Sequence, residues 1–131
     1  IYLKNTTAKD VLVQRIRTCS DTSGSVQIRL IRNPTAGTLI SDANAADQLS
    51  SNCGSSKSFS DFGLAYTASG NGKTVTDGDN LSQFINHSPG HSIQEYDGAL
   101  ILKRGASIAL VAKPSVAMTI CVEFQIWLDE V

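Results

Sequence analysis

His87 and His91 stand four residues apart. On a helix that spacing puts two imidazoles on one face, where they can share a metal ion. Here Pro89-Gly90 falls between them and breaks the helix, so two surface loop histidines are expected. Asp77-Gly78-Asp79-Asn80 gathers oxygen ligands of the kind Ca²⁺ takes. The later ligands and the bidentate Glu of an EF-hand are missing, and an Asp-Gly turn accounts for the residues better. Glu95 and Asp97 would share a face on a strand, but are expected in a solvated loop. Asp61-Phe62-Gly63 spells a protein-kinase tripeptide without the glycine-rich and catalytic loops that give it meaning. Serines are numerous, yet no GxSxG elbow exists. No catalytic residue, cofactor or metal ligand is assigned, and the chain is not expected to be an enzyme.

Other chemistry belongs to surfaces. The three cysteines, Cys19, Cys53 and Cys121, are odd in number and widely spaced, with no CxxC pair. They are expected to be reduced and to serve as small hydrophobes. Residues 1–32 hold six bases and two acids, a net charge of +4, whereas residues 33–131 hold five bases and ten acids, a net of −5. A basic surface of Arg15, Arg17, Arg29 and Arg32 facing an acidic partner is one reading, and a solvated strand face is the other. Few aromatics are interleaved with these bases, which argues against nucleic acid. Trp127 is a large amphipathic ring suited to an interface, or to covering a strand edge. The candidate partner interface is therefore Arg15, Arg17, Arg29, Arg32 and Trp127.

Strands must position these groups. From Val116 to Leu128 every second residue is apolar: Val116, Met118, Ile120, Val122, Phe124, Ile126 and Leu128. Period two sends alternate side chains to opposite faces of a strand. Thirteen residues make roughly 40 Å of it. Ile120, Val122 and Phe124 are expected in the core, with Cys121, Glu123, Gln125 and Trp127 opposite. Residues 10–17 and 25–32 read as two strands joined by the turn Asp21–Gly24 into a hairpin that sets Arg15 or Arg17 beside Arg29. Asn33-Pro34 ends the second strand.

Residues 38–40 read as a short strand, and 41–50 as the helical candidate, capped by Ser41 or Asp42. Residues 51–58 read as a loop and 59–67 as a strand. A long loop over 68–80 surrounds a brief strand at 73–76. Residues 81–86 are ambiguous and 87–98 form a loop. Strands at 99–103 and 106–113 flank a tight turn at Arg104-Gly105. About eight strands, one short helix and turns every 8–12 residues predict an all-β fold, an antiparallel two-sheet β-sandwich of jelly-roll type.

At 131 residues the chain is read as one domain, 1–131, large enough to bury a core without a metal or disulfide. No apolar run reaches 18 residues, so no membrane span is expected, and no signal peptide is visible. The opening Ile1, without Met, implies processing or a start inside a longer product.

Two stretches carry a resemblance. Residues 33–43, NPTAGTLISDA, with CGSSKSF following, and residues 100–110, LILKRGASIAL, are similar to small jelly-roll structural proteins of tailed-bacteriophage virions. These are the capsid decoration (cement) and head-fibre proteins. In them an LxxKGxS-like turn joins two late strands; here Arg104 stands between Lys103 and Gly105. The resemblance implies a role on the outer capsid surface of a virion and no catalytic residues. It implies as partners the major capsid protein or another virion protein, and a homo-dimer or homo-trimer. A receptor- or glycan-binding domain of a phage fibre and a carbohydrate-binding module are the alternatives.

Overall fold

The computed structural model describes residues 1–41, Asn44–Ala45, Leu64–Thr67 and 72–128. Its strands are β1 (Tyr2–Asn5), β2 (Val11–Arg32), β3 (Asn44–Ala45), β4 (Leu64–Thr67), β5 (Asp79–Leu102), β6 (Ser107–Pro114) and β7 (Ile120–Leu128). One helical turn, α1 (Thr38–Ser41), follows β2. Every pairing is antiparallel, in the order β3-β4-β1-β6-β2-β5, with β7 also pairing β2, and the sheet is not closed.

β2 is the spine. Its first half, Val11–Ser20, lies between β5 and β7, and its second half, Val26–Arg32, between β5 and β6. Val11, Val13 and Ile16 from the first half share one hydrophobic core with Val26, Ile28 and Leu30 from the second. A straight strand of 22 residues would be about 70 Å long, so such contacts require β2 to bend. The bend coincides with the register shift between Ser20 and Gly24. Residues 115–119 strap this corner. Ser115 donates its N–H to Ser25 O and accepts the Ser25 N–H on its hydroxyl, and Thr119 N–H donates to Asp21 Oδ1.

The hairpin expected around Asp21–Gly24 is thus corrected to a bend within one strand. Pairing resumes at Gly24 with Ser88 after Ser20 with Gly90, so the turn-type residues are a bulged corner. The ambiguous residues 81–86 and the loop expected over 87–98 are likewise strand, inside β5. Pro89 is tolerated because it lies at the break in the ladder and on an edge strand, where its missing N–H costs little. Asp97 and Gly98, at φ 46° and 82°, absorb a second bulge, where β5 advances from Glu95 to Leu100 while β2 advances from Arg15 to Val13.

Other expectations shift. Residues 38–41 are a helical turn instead of a strand, held by Leu39 N–H to Thr74 O and Ser41 N–H to Gly37 O. The expected helix over 41–50 meets strand at Asn44–Ala45, and its remaining residues lie outside those described. The loop at 51–58 lies outside them too, as do residues 59–63 of the expected strand, whose end is β4. Residues 73–76 run without strand structure. The turn at 104–105 and β6 stand as expected. β7 begins at Ile120, four residues later than the alternation suggests; Ile120, Val122, Phe124 and Ile126 do pack against the core, half-buried.

A second core of Tyr2, Ile31, Leu39 and Ala109 forms where α1 covers the sheet. Asn5 locks β1 to the end of β5. Fully buried, its Nδ2 donates to Lys9 O and Leu102 O at 2.7 Å each, and its Oδ1 accepts Thr7 N–H at 2.9 Å.

Candidate interaction surface

Side chains that alternate with the buried positions of β2 face outward. In the first half these are Leu12, Arg15, Arg17 and Cys19. Register carries them across three strands. Ile101, Leu12 and Trp127 stand side by side; then Glu95, Arg15 and Gln125; then Ile93, Arg17 and Glu123; then His91, Cys19 and Cys121. The outer face of this half therefore runs from an apolar row, through two charged rows, to a sulfur row at the corner.

Trp127 is 59 % exposed, and its Nε1–H donates to Gln14 Oε1. The hydrogen bond ties the ring to the Gln14 amide, and more than half of its surface stays exposed. Arg17 pairs with Glu123 at 3.2 Å, with both side chains half in water. Such a pair contributes about 0–1 kcal/mol and mainly fixes orientation. Arg15 stands between Glu95 and Gln125.

Arg29 and Arg32 belong to the other half of β2. Arg29 stands between Gln83 and Val111, and Arg32 pairs with Asp79 at 2.7 Å. Because both halves turn their buried residues to one core, Arg15 and Arg17 face away from Arg29. The expected single basic patch is corrected to two separated groups, in which Arg17 and Arg32 each hold an acid.

Cys19 and Cys121 form a disulfide, with Cα atoms 5.1 Å apart. This overturns the expectation of three reduced thiols; Cys53 lies outside the described residues. The reason is register. Cys19 pairs directly with Cys121, and both side chains leave the sheet on the same face. No sequence spacing announces a bond across 102 residues.

His87 and His91 are exposed on β5, opposite Ser25 and Cys19, instead of in a loop. Asp77 organises the 33–36 turn. Its carboxylate accepts the Thr35 hydroxyl, and the N–H groups of Thr35 and Ala36 at 2.8 Å. The Thr35 hydroxyl first, then the two N–H groups, hold this carboxyl below the usual range. The Thr119 N–H, with the Thr22 hydroxyl next, does the same for Asp21 at the corner. No group of three or more His, Cys, Asp or Glu side chains converges on a metal position among the described residues. No helix there is long and apolar enough to cross a membrane.

One cleft of about 560 Å³ opens between β6 and residues 117–122. Ile1, Leu39, Leu110, Met118, Ile120 and Val122 contribute apolar side chains to its lining, Lys73 and Thr119 are its polar side chains, and polar and apolar surface line it about equally.

The exposed apolar residues of β5 were missed in sequence. Leu81 and Ile93 are each 42 % exposed, Ile101 45 % and Ile85 59 %. Their odd-numbered spacing was the available signal, obscured by Pro89-Gly90 and Asp97-Gly98. No family model, curated protein or solved structure matches this chain.

Proposed function

We propose that this chain is a non-enzymatic structural protein of a tailed-bacteriophage virion, one that decorates and stabilises the outer capsid surface. Its partner in this reading is the major capsid protein or another virion protein. Its fold in the same reading is a two-sheet β-sandwich of jelly-roll type, which the core shared by both halves of β2 supports. The observation that carries the proposal is the row Ile101, Leu12 and Trp127. Large apolar side chains lie together on an outward sheet face, with the indole 59 % exposed. Exposed aromatics of this kind anchor protein interfaces. The Cys19–Cys121 disulfide fits a surface outside the reducing cytosol.

Cryo-microscopy of the particle tests this directly, by placing the chain on the capsid or elsewhere. Trp127→Ala is expected to weaken attachment by more than about 1 kcal/mol, as for an interface hot spot. Of the basic residues, Arg15 is the one to replace, since it shares the outward face of Trp127 and Arg17 is paired with Glu123 within the chain. Its loss should slow association and reduce its salt dependence. A second reading, a glycan-binding domain of a phage fibre, is favoured by the exposed indole beside the Gln14 amide. Competable hits on a glycan array, removed by Trp127→Ala, would replace the first reading by the second.

A further inference from the structure

Among the described residues β5 pairs with β2 alone, so its other edge is free along a strand of 24 residues. An edge of this kind presents unpaired N–H and C=O groups and invites another strand unless it is interrupted. Here the interruptions define a window. Pro89 has no N–H, and the Asp97-Gly98 bulge turns the backbone away at the other end. Between them residues 90–95 pair with β2 in unbroken register, from Gly90 with Ser20 to Glu95 with Arg15.

We infer that two copies of this chain associate antiparallel through this window of β5, about a two-fold axis at Ile93. The sequence around Ile93 is complementary to itself. Antiparallel pairing about that residue sets Ile93 against Ile93 of the second copy, and His91 against Glu95 of the second copy, twice. All three side chains lie on the outer face, and Ile93 is 42 % exposed in the single chain. Cross-strand apolar and acid–base pairs of this kind favour a register. A two-fold axis on a residue suits either hydrogen-bond phase of the edge. Ile93 exchanges bonds with its own copy if its N–H points outward, and Ser92 and Gln94 bond instead if it does not.

Shifting the axis spoils the match. About Gln94, Ile93 meets Glu95, and His91 meets the bulge at Asp97. The other half of β5 is a poorer edge, because Leu81 is the extra residue of a bulge between Ser82 and Asn80 and Asp79 is held by Arg32. A closed, isologous pair is the usual form of such an association.

Sedimentation velocity over a concentration series tests the inference. A monomer–dimer equilibrium is expected, weakened at least about tenfold by Ile93→Lys. His91→Glu should also weaken it, since the new carboxylate would face Glu95 of the second copy, and adding Glu95→Lys to that variant should restore association. Because Glu95 also stands opposite Arg15 in its own sheet, the melting temperature of each variant is recorded alongside. Amides alternating through 90–96 should gain exchange protection as concentration rises, while those of β7 should not. A chain that stays monomeric throughout overturns the inference. So does a dimer indifferent to Ile93→Lys, or a pair of charge changes that fails to restore. None of these results depends on whether the protein binds a capsid.

Discussion

Cys19 and Cys121 face each other across β2 and β7 and close a loop spanning 102 residues of chain. In a chain-entropy account, a cross-link over a loop of this size lowers the freedom of the unfolded chain by up to about 4.7 kcal/mol, and native disulfides commonly contribute about 2–5. Replacing both cysteines by serine should therefore destabilise the protein by about 2–5 kcal/mol in urea titration. Far-UV circular dichroism should stay strand-like, because the two cysteines lie on the outward face of the sheet, opposite the core residues of β2.

Asp77 should make part of the stability acid-sensitive. Its carboxyl titrates lower in the folded protein than the ordinary 3.8, because the Thr35 hydroxyl and the Ala36 and Thr35 N–H groups bind the charged form. That contribution is fully present above pH 3.8 and disappears as pH falls through the lower, folded value. Asp77→Asn keeps the shape and loses the charge. Its melting temperature should lie below the parent's at neutral pH, and the gap should narrow in acid. A gap that stays constant with pH would show that the charge is immaterial.

Asn5 should tolerate no carboxylate. Its Nδ2 satisfies two carbonyls, of Lys9 and Leu102, inside the protein. Asn5→Ala leaves the Leu102 carbonyl without this donor and opens a void, a loss of about 1–3 kcal/mol for the orphaned group. Asn5→Asp should do worse at neutral pH, since its oxygens would confront two acceptors. Unlike the parent, that variant should gain stability on mild acidification, as the buried carboxyl takes a proton.

Ile28 and Ile85 should behave as opposites. Ile28 is fully buried in the second half of β2, and Ile85 is 59 % exposed on β5. Ile28→Ala should cost about 2–5 kcal/mol. Ile85→Ser should change stability by no more than about 0.5 kcal/mol. Comparable losses at both sites would mean that the outer face of β5 is covered within the chain.

What could be read in advance was local. The period-two run ending at Leu128 gave the inward and outward faces of β7 correctly, Trp127 included, because alternation depends only on neighbours along the chain. The Arg104-Gly105 turn and β6 were legible for the same reason. β2 and β5 each read as separate pieces, since Asp21–Gly24, Pro89-Gly90 and Asp97-Gly98 carry turn chemistry. Pairing with distant strands carries the ladder past all three: Asp21–Gly24 and Pro89-Gly90 meet at the bulged corner, and Asp97-Gly98 lies in a second bulge. The candidate surface suffered accordingly. The four arginines fall into two groups because β2 bends, and the disulfide exists because β7 meets β2 in one particular register. Neither fact is encoded in spacing.

The continuity of β2 also bears on how the protein comes apart and how fast it assembles. Both halves of the core hang on one strand, so neither can open while the other stays intact. Native-state opening should be a single concerted event, with amides of Ile16 and Ile28 exchanging at the same free energy. The nearest partner of β2 in sequence, Asp79 against Arg32, is already 47 positions away. Ladders this remote close only after a large loss of chain entropy, which places the chain among slow folders, on the scale of milliseconds to seconds. During that interval the strands of the nascent protein lack their mates, and a crowded refolding mixture should lose material to aggregation that a dilute one recovers.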